Sequence, residues 1–302
     1  MSQTQQLAIL NAWSIRRHYV ILIFILLLLV VFLFLYNFRK DYQLHQLQKA
    51  AIPTAIPTTD PSQIRITTYN PPKILRKQVY KISMVGDSMT AILGPHGGIL
   101  SEYMNSLYKS PEDKVQHIII DNYAKSSNIQ AVDSQLEQKT TISEYTFGPL
   151  LSENYDLLLV ESYAYNPLSQ YEPTEAIKQQ NLALDQKKKK IRTKSPKTAV
   201  IFVATISPNI QNYAKGTEEN SSEVQRAKQA GERILYLKNH IDYAKKHNIP
   251  LINIYEKSLT PEGDGDMKYI NESDDIHPSA VGVEFISHEI GQYIFDNRIL
   301  PH

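Results

Sequence analysis

The 302-residue sequence contains no cysteine. Disulfide bonds, thiolate zinc sites and a cysteine nucleophile are therefore excluded, while the redox compartment stays open. The sequence also lacks an excess of charge of either sign, because 32 lysines and arginines face 31 aspartates and glutamates, a net charge of +1. A near-neutral chain has no global field that would attract nucleic acid, so we expect no nucleic-acid partner.

One long hydrophobic run lies near the start of the sequence. Residues 20–35 contain no polar side chain, and Tyr19 and Tyr36 flank them. As a helix, these 16 residues would span about 24 Å, and the tyrosines extend the segment toward the roughly 30 Å thickness of a bilayer core. No small-x-small cleavage site follows directly, and a buried core helix would need polar interruptions. We therefore predict a transmembrane signal anchor over residues 19–38, after a short tail of residues 1–18.

Charges on the two sides of this run are nearly matched. Arg16 and Arg17 precede it, whereas Arg39 and Lys40 follow it, so the positive-inside rule decides little. A short tail without acidic residues, ahead of one anchor and a large domain, is typical of an N-inside, C-outside arrangement. We expect a single-pass protein of the cell membrane that contacts the lipid bilayer and has its catalytic domain on the extracytoplasmic side.

Proline is concentrated in a short segment after the hydrophobic run. It occurs at positions 53, 57 and 61, and this frequency disfavours helix and sheet and stiffens the chain toward polyproline II. We expect a Pro/Thr-rich linker over residues 39–63 and one folded domain over residues 64–302.

Within that domain, short β-branched stretches alternate with longer stretches of helical periodicity. The short stretches are apolar on both alternating positions, as strands buried on both faces should be. We predict strands over residues 81–86, 115–122, 156–162, 199–207 and 250–255. We predict helices over residues 89–108, 127–136, 172–191, 217–247 and 279–295. The fold class is therefore α/β, a flavodoxin-like three-layer sandwich with a five-stranded parallel sheet and helices on both faces, preceded by one transmembrane helix.

Two polar segments far apart in the sequence carry a serine, a histidine and acids. Gly86-Asp87-Ser88 follows the first predicted strand, and Asp274-Asp275-Ile276-His277 precedes the last predicted helix. A serine hydroxyl is a weak nucleophile unless an imidazole takes its proton and a carboxylate orients the imidazole. Alone, the first segment also fits a strand that ends in a polar turn. The second also fits a helix N-cap followed by Pro278 at the first helical position.

The order and spacing of these segments resemble the SGNH (GDSL-type) hydrolases, a family of esterases and lipases. The resemblance implies a catalytic triad of Ser88, His277 and Asp274. Asp275 is the rival orienting acid, and Asp87 is expected to stabilise the turn rather than to take part in the reaction. The resemblance implies no cofactor and no metal.

The resemblance also implies an oxyanion hole, whose members are Ser88, Ser127 and Asn166. The family has a glycine where Ser127 falls, and an aspartate where Pro167 follows Asn166, so both blocks depart from its pattern. The backbone N–H of a serine can replace that of a glycine, but a serine held at positive φ would carry strain of roughly 1 kcal/mol or more. An alternative of equal weight is that Ser126 or Ser127 only caps the next helix.

The predicted topology brings these residues together without reference to the family. Ser88, Ser127 and Asn166 each follow a different strand, and His277 lies beyond the fifth strand. In open α/β sheets, ligands bind outside the carboxyl ends of the strands. All four residues can therefore converge on one edge of the sheet.

Other conspicuous features are expected to be structural. The basic run within residues 187–194 fits a solvated helix end, with contact to anionic headgroups as the alternative. His240 and His247 lie seven residues apart without a third ligand, so we expect no metal there. Some tyrosines near Asn166 could either line a sugar or acyl site or pack in the interior, namely Tyr163, Tyr165 and Tyr171.

These observations lead us to expect a membrane-anchored serine ester hydrolase. Its partner would be a small-molecule or glycan ester, such as an acetylated carbohydrate or another ester of the cell envelope. An acyltransferase on the same fold and a catalytically inactive surface-binding domain are the alternatives. Transfer would acylate an added acceptor glycan, whereas an inactive domain would not react with a serine-directed fluorophosphonate.

We predict that a protease added to intact cells removes residues 64–302 from the anchored protein, because the domain is expected to face outward. Immunodetection of the domain before and after treatment measures this. Lysed cells provide the control, since they show whether the domain can be cleaved at all. A domain that resists the protease on intact cells but is cleaved after lysis contradicts the predicted orientation.

Overall fold

The computed structural model describes residues 24–39, 42–43, 46, 68–109, 116–218 and 220–302. The chain divides into two units, Met1–Lys49 and Ala50–His302. In the first unit, residues 24–39 are helical and carry exposed apolar side chains such as those of Phe24 and Phe32. Among the residues just given, no helix is long and apolar enough to cross a membrane.

The predictions for the N-terminal region fall largely on other residues. The tail over residues 1–18, the start of the anchor and most of the linker over residues 39–63 lie outside the described residues. The transmembrane helix in the predicted fold class is thus not supported by the described residues. The predicted boundary of the folded domain at residue 64 also lies outside them.

The second unit is built around a five-stranded parallel sheet flanked by helices, as predicted. In chain order the strands are β1 (Val79–Val85), β2 (His117–Asn122), β3 (Thr140–Ile142), β4 (Tyr145–Phe147), β5 (Leu157–Glu161), β6 (Ala199–Ala204) and β7 (Leu251–Asn253). The parallel sheet has the order β2-β1-β5-β6-β7, while β3 and β4 form a separate antiparallel ribbon. Every residue of β5 and β6 is buried, as expected of central strands covered on both faces.

The helices of this unit cover both faces of the sheet. In chain order they are α1 (Ser88–Ala91), α2 (Gly98–Leu107), α3 (Val132–Glu137), α4 (Pro173–Lys194), α5 (Glu223–His247), α6 (Ile254–Lys257) and α7 (Ala280–Asp296). Leu159 of β5 lines a small cavity with Ile286 of α7, whereas its neighbour Val160 lines another with Leu184 of α4. Because successive strand residues point to opposite faces, α7 and α4 lie on opposite sides of the sheet. Helix α2 packs against α7, and α5 packs against α4.

The structure corrects the prediction of one continuous helix over residues 89–108. The chain leaves α1 through Gly94 and re-enters a helix after Gly97, and these glycines have φ values of 82° and 77°. Only glycine adopts this left-handed region at little cost, so the two residues end one helix and start the next. The Asn122 amide at the end of β2 donates to the carbonyls of Thr90 and Gly94 at 2.8 and 3.0 Å, which satisfies the end of α1.

Two further differences have local causes. Helix α5 begins at Glu223 rather than at residue 217, because Ser222 and Gln225 form a capping box there. The ribbon of β3 and β4 was not predicted, since each strand has only three residues.

The segment between α6 and α7 is closed by backbone pairing. Ile270 and Pro278 form an antiparallel bridge, and the Ser279 N–H donates to the Tyr269 carbonyl at 2.9 Å. Gly282, in the first turn of α7, packs against the same carbonyl so closely that a Cβ atom would lie 2.1 Å from the Tyr269 oxygen. These contacts therefore hold the segment that carries His277 against the start of α7.

We predict that Gly282→Ala lowers the free energy of unfolding by at least about 1 kcal/mol, because overpacking against backbone outweighs the better helix propensity of alanine. Val281→Ala is the matched control, since Val281 is exposed on the same turn and should change stability by no more than about 0.5 kcal/mol. Urea unfolding of the three proteins measures the effect. A Gly282→Ala protein as stable as the wild type is the contrary outcome.

Candidate active site

The first strand delivers Ser88 to the carboxyl edge of the sheet. After β1 ends, Asp87 caps α1, because its Oδ1 accepts the N–H of Met89 at 2.9 Å. Gly86 has no room for a side chain, since a Cβ atom there would lie 2.8 Å from the Glu161 Cβ. The resulting turn leaves the Ser88 side chain half-buried at the first position of α1.

Ser88, His277 and Asp274 form a hydrogen-bonded series in the order in which they were predicted to act. Its Oγ lies 3.0 Å from His277 Nε2, and His277 Nδ1 lies 2.7 Å from Asp274 Oδ2. Both distances are those of hydrogen bonds, so the imidazole stands between a hydroxyl and a carboxylate. The His277 side chain is 34% exposed, which leaves one side of the ring open to solvent.

Asp274 is hydrogen-bonded through both carboxylate oxygens. Its Oδ1 accepts the backbone N–H groups of Ile276 at 2.9 Å and His277 at 3.0 Å, while its Oδ2 faces the ring. Partial burial opposes its ionisation, but the Ile276 N–H and the His277 ring outweigh burial and hold the pKa of Asp274 below its ordinary value. Because ionised Asp274 accepts from Nδ1–H, we assign Nε2 as the ring atom that accepts the Ser88 proton.

The rival acid, Asp275, binds elsewhere. Its Oδ2 accepts the Gly216 N–H at 3.0 Å, and its carbonyl accepts the Ala214 N–H at 3.2 Å. Its φ of 55° lies in the left-handed region, which turns its side chain away from that of its neighbour. The two adjacent acids therefore have different contacts, one to the imidazole and one to the segment of residues 214–216.

Ser127, which follows β2, is accommodated without the strain considered for this position. Its φ is negative, so it does not adopt the conformation that would require glycine. Neither Ser126 nor Ser127 caps the next helical turn, because Asn128 Oδ1 accepts the N–H of Gln130 at 3.1 Å instead. The Ser127 Oγ accepts a hydrogen bond from the Gln135 Nε2 at 3.3 Å.

Asn166 is held beside the nucleophile turn. After β5 ends at Glu161, the chain turns through Tyr163, which has a φ of 55°. The Tyr165 N–H then donates to Asp87 Oδ2 at 2.9 Å, and the Asn166 side chain lies close to the same carboxylate. Tyr163 and Tyr165 are buried, so these two side chains pack in the interior.

Two supporting residues were missed in the sequence analysis, Gln135 and Glu161. The Gln135 amide joins two segments of the site, because it donates to Ser127 Oγ and its Oε1 accepts the Tyr163 hydroxyl at 3.2 Å. Glu161 offered a signal, since a charged residue ends an otherwise apolar strand. Gln135 offered none, because a polar residue in a short helix of mixed polarity looks exposed until the neighbouring segments are in place.

The other conspicuous sequence features have structural partners. Three lysines of the basic run, Lys187, Lys190 and Lys194, pair with two acids of α3, Asp133 and Glu137, at distances of 2.6 to 3.7 Å. His240 is fully buried and stacks on Phe202 with ring centroids 4.3 Å apart. In the part of the chain that the structure describes, no group of three or more His, Cys, Asp or Glu side chains could hold a metal ion.

Comparisons with known proteins find solved structures with similar folds. No protein-family model matches the sequence, and no curated protein matches it. Solved structures that are similar include the lipase/acylhydrolase from Enterococcus faecalis, with 16% identity, 72% of this chain and 96% of that chain covered, and a TM-score of 0.49. The acetyl xylan esterase AlAXEase has 15% identity, coverage of 71% and 99%, and a TM-score of 0.49. Axe2, an acetylxylan esterase from Geobacillus stearothermophilus, has 14% identity, coverage of 76% and 96%, and a TM-score of 0.44.

We predict that Asp274 stabilises the fold in a pH-dependent way. Its pKa is depressed in the folded protein, so its contribution is present above the unfolded pKa of about 4 and is lost as the pH falls through the lower folded pKa. The difference in free energy of unfolding between wild type and Asp274→Asn should therefore shrink below about pH 4. Urea unfolding at a series of pH values measures it, with Glu272→Gln as the exposed control. A difference that grows as the pH falls in this range would falsify the assignment.

Proposed function

We propose that this chain is a serine ester hydrolase of the SGNH type. The observation that carries the proposal is the hydrogen-bonded series from Ser88 to His277 to Asp274, with distances of 3.0 and 2.7 Å. The serine and the histidine are 189 positions apart in the sequence. A serine and a histidine with purely local roles would have no reason to meet across that separation in this geometry.

The proposed reaction uses each member of the series in a distinct role. Ser88 Oγ attacks the ester carbonyl carbon while His277 Nε2 takes its proton, and Asp274 orients the ring and stabilises the imidazolium. The imidazolium then protonates the leaving alkoxide oxygen, the alcohol departs, and the acyl group stays on Ser88. A water molecule gives a proton to Nε2 and attacks this acyl carbonyl. The acid is released as Ser88 takes back its proton.

The charge that develops on the carbonyl oxygen needs hydrogen-bond donors at the edge of the sheet. We assign this role to the N–H groups of Ser88 and Ser127 and to the side-chain amide of Asn166. In the part of the chain that the structure describes, neither N–H donates to another backbone group, so both are available. Loss of one such donor typically raises the barrier by about 2.7–4 kcal/mol.

We extend the proposal to the location and the substrate. The apolar run of residues 20–35 supports a membrane anchor, with the exposed apolar side chains of the helical residues 24–39 as its described part. A domain held at the outer face of a membrane would meet esters of the cell envelope. We therefore propose acylated carbohydrate, acetylated carbohydrate in particular, or another ester of the envelope as its substrate class.

We predict that Ser88→Ala lowers kcat for hydrolysis of a short aryl ester by at least about 10³-fold, because no other group can form the acyl intermediate. The unfolding midpoint should stay close to that of the wild type, since the hydroxyl is half-buried at the surface. Ser101→Ala, on α2 and away from the site, is the matched control and should keep full activity. Initial rates with a series of acyl chain lengths measure the effect.

Three outcomes would go against parts of this proposal. A wild-type rate no higher than that of Ser88→Ala contradicts the proposed esterase activity. Absence of labelling by a serine-directed fluorophosphonate indicates a catalytically inactive binding domain. If the acyl group appears on an added acceptor glycan rather than as free acid, the protein is an acyltransferase and the proposed hydrolysis is wrong.

A further inference from the structure

Two carboxyl groups are buried together beneath the nucleophile turn. Asp87 has no exposed surface, and Glu161 is 2% exposed. Their carboxyl groups lie close enough for a hydrogen bond when one of them carries a proton. Asp87 directly precedes Ser88, whereas Glu161 is the last residue of β5. The contact therefore joins the ends of two adjacent strands at the edge where the candidate site lies.

Glu161 binds backbone on both sides of this junction. Its Oε2 accepts the N–H of Asp87 at 3.2 Å and the N–H of Tyr163 at 3.0 Å, and its Oε1 is hydrogen-bonded to the Ser162 hydroxyl. The first contact holds the nucleophile turn, and the second holds the strained turn through Tyr163. One side chain thus sets the distance between two segments of the site.

Asp87 completes the junction from the other side. Its two oxygens accept the N–H groups of Met89 and Tyr165, both at 2.9 Å, and the Asn166 amide lies close to the same carboxylate. Glu161 and Asp87 therefore cross-connect the same two segments, each from its own strand. A shift of either carboxyl group would move Ser88 relative to Asn166.

Burial without a counter-ion disfavours two negative charges on the pair. Both groups are desolvated, and their neighbours are backbone N–H groups, the Ser162 hydroxyl and the Asn166 amide. Neither carboxyl group forms an ion pair with a lysine, arginine or histidine in the part of the chain that the structure describes. Burial, together with the charge of Asp87, raises the pKa of Glu161 well above its usual range, and burial also raises the pKa of Asp87. The nearest phenols, those of Tyr163 and Tyr165, are neutral, because burial raises their pKa values as well.

We propose that Glu161 is a positioning residue that retains a proton, shares it with Asp87, and thereby locks the Ser88 turn to the Asn166 segment. The effect of this junction on catalysis rests on the proposed function. The shared proton turns a repulsive contact between two acids into a hydrogen bond, so the junction can be buried without a counter-ion. An apolar residue of similar size would leave the N–H groups of Asp87 and Tyr163 without acceptors.

The proton itself can be observed independently of activity. At neutral pH, the infrared spectrum of the full-chain protein should contain the carbonyl-stretch band of a protonated, buried carboxylic acid. Glu161→Gln should lose this band, whereas Glu175→Gln, which changes a partly exposed acid on α4, should keep it. A band that persists in Glu161→Gln, or no band in the wild type, overturns the proposal.

Kinetics of two matched variants test the positioning role. Glu161→Gln can still donate to Asp87 and accept the two N–H groups, so we expect its kcat within about 3-fold of the wild type. Glu161→Leu has similar size but no hydrogen bonds, so we expect kcat to fall by about 10²-fold with little change in KM, as misplacement of reacting groups by about 1 Å does. Unchanged kcat in Glu161→Leu, or an equal loss in both variants, contradicts the proposal.

The outcomes separate this proposal from the proposed function. If wild type and Ser88→Ala are equally inactive, the esterase activity fails, yet the infrared band still decides whether the carboxyl pair holds a proton. If Glu161→Leu does not fold, the infrared band and the activity of Glu161→Gln still test the role of Glu161. A wild type that hydrolyses esters but lacks the band overturns only the role of Glu161.

Discussion

The contact between two buried carboxyl groups, Asp87 and Glu161, is the constraint on which the candidate site depends. Through it, the turn after β1 and the segment after β5 share one set of hydrogen bonds. Ser88 is the next residue on the first segment, and Asn166 lies on the second. Because buried polar groups without partners are costly, a network that satisfies all of them has one favourable arrangement. The buried carboxyl pair therefore fixes the relative positions of Ser88 and Asn166 above it.

The histidine side of the site has a different kind of support. His277 and Asp274 lie on the segment closed by the bridge between Ile270 and Pro278. Backbone pairing holds this segment, and the neighbouring Asp275 fastens it to residues 214–216. The hydroxyl and the imidazole thus meet at 3.0 Å from two independently anchored segments, while one side of the ring stays open to solvent. That combination of rigid anchors and an open face suits a site that must accept a substrate from outside.

Hydrophobic pattern was sufficient for the five strands of the sheet, because a strand buried on both faces is a short apolar run whatever surrounds it. It failed for the helix over residues 89–108, where apolar periodicity continues through a break set by the backbone of Gly94 and Gly97. The resemblance also left open whether Ser127 is strained, since the family has a glycine there, and its φ is negative. Both points concern backbone dihedrals, which depend on the neighbouring segments and leave little trace in residue type.

The sequence by itself determined the α/β class, the strands and the two segments that carry Ser88 and His277, because these follow from local pattern and residue chemistry. Residue chemistry does not distinguish Asp274 from Asp275, and beyond the family resemblance only the tertiary structure shows that Asp274 faces the imidazole while Asp275 binds elsewhere. Only the tertiary structure revealed the role of Glu161 as well. A carboxyl group acquires that role when a second one is buried against it, and this proximity exists only after the strands pair.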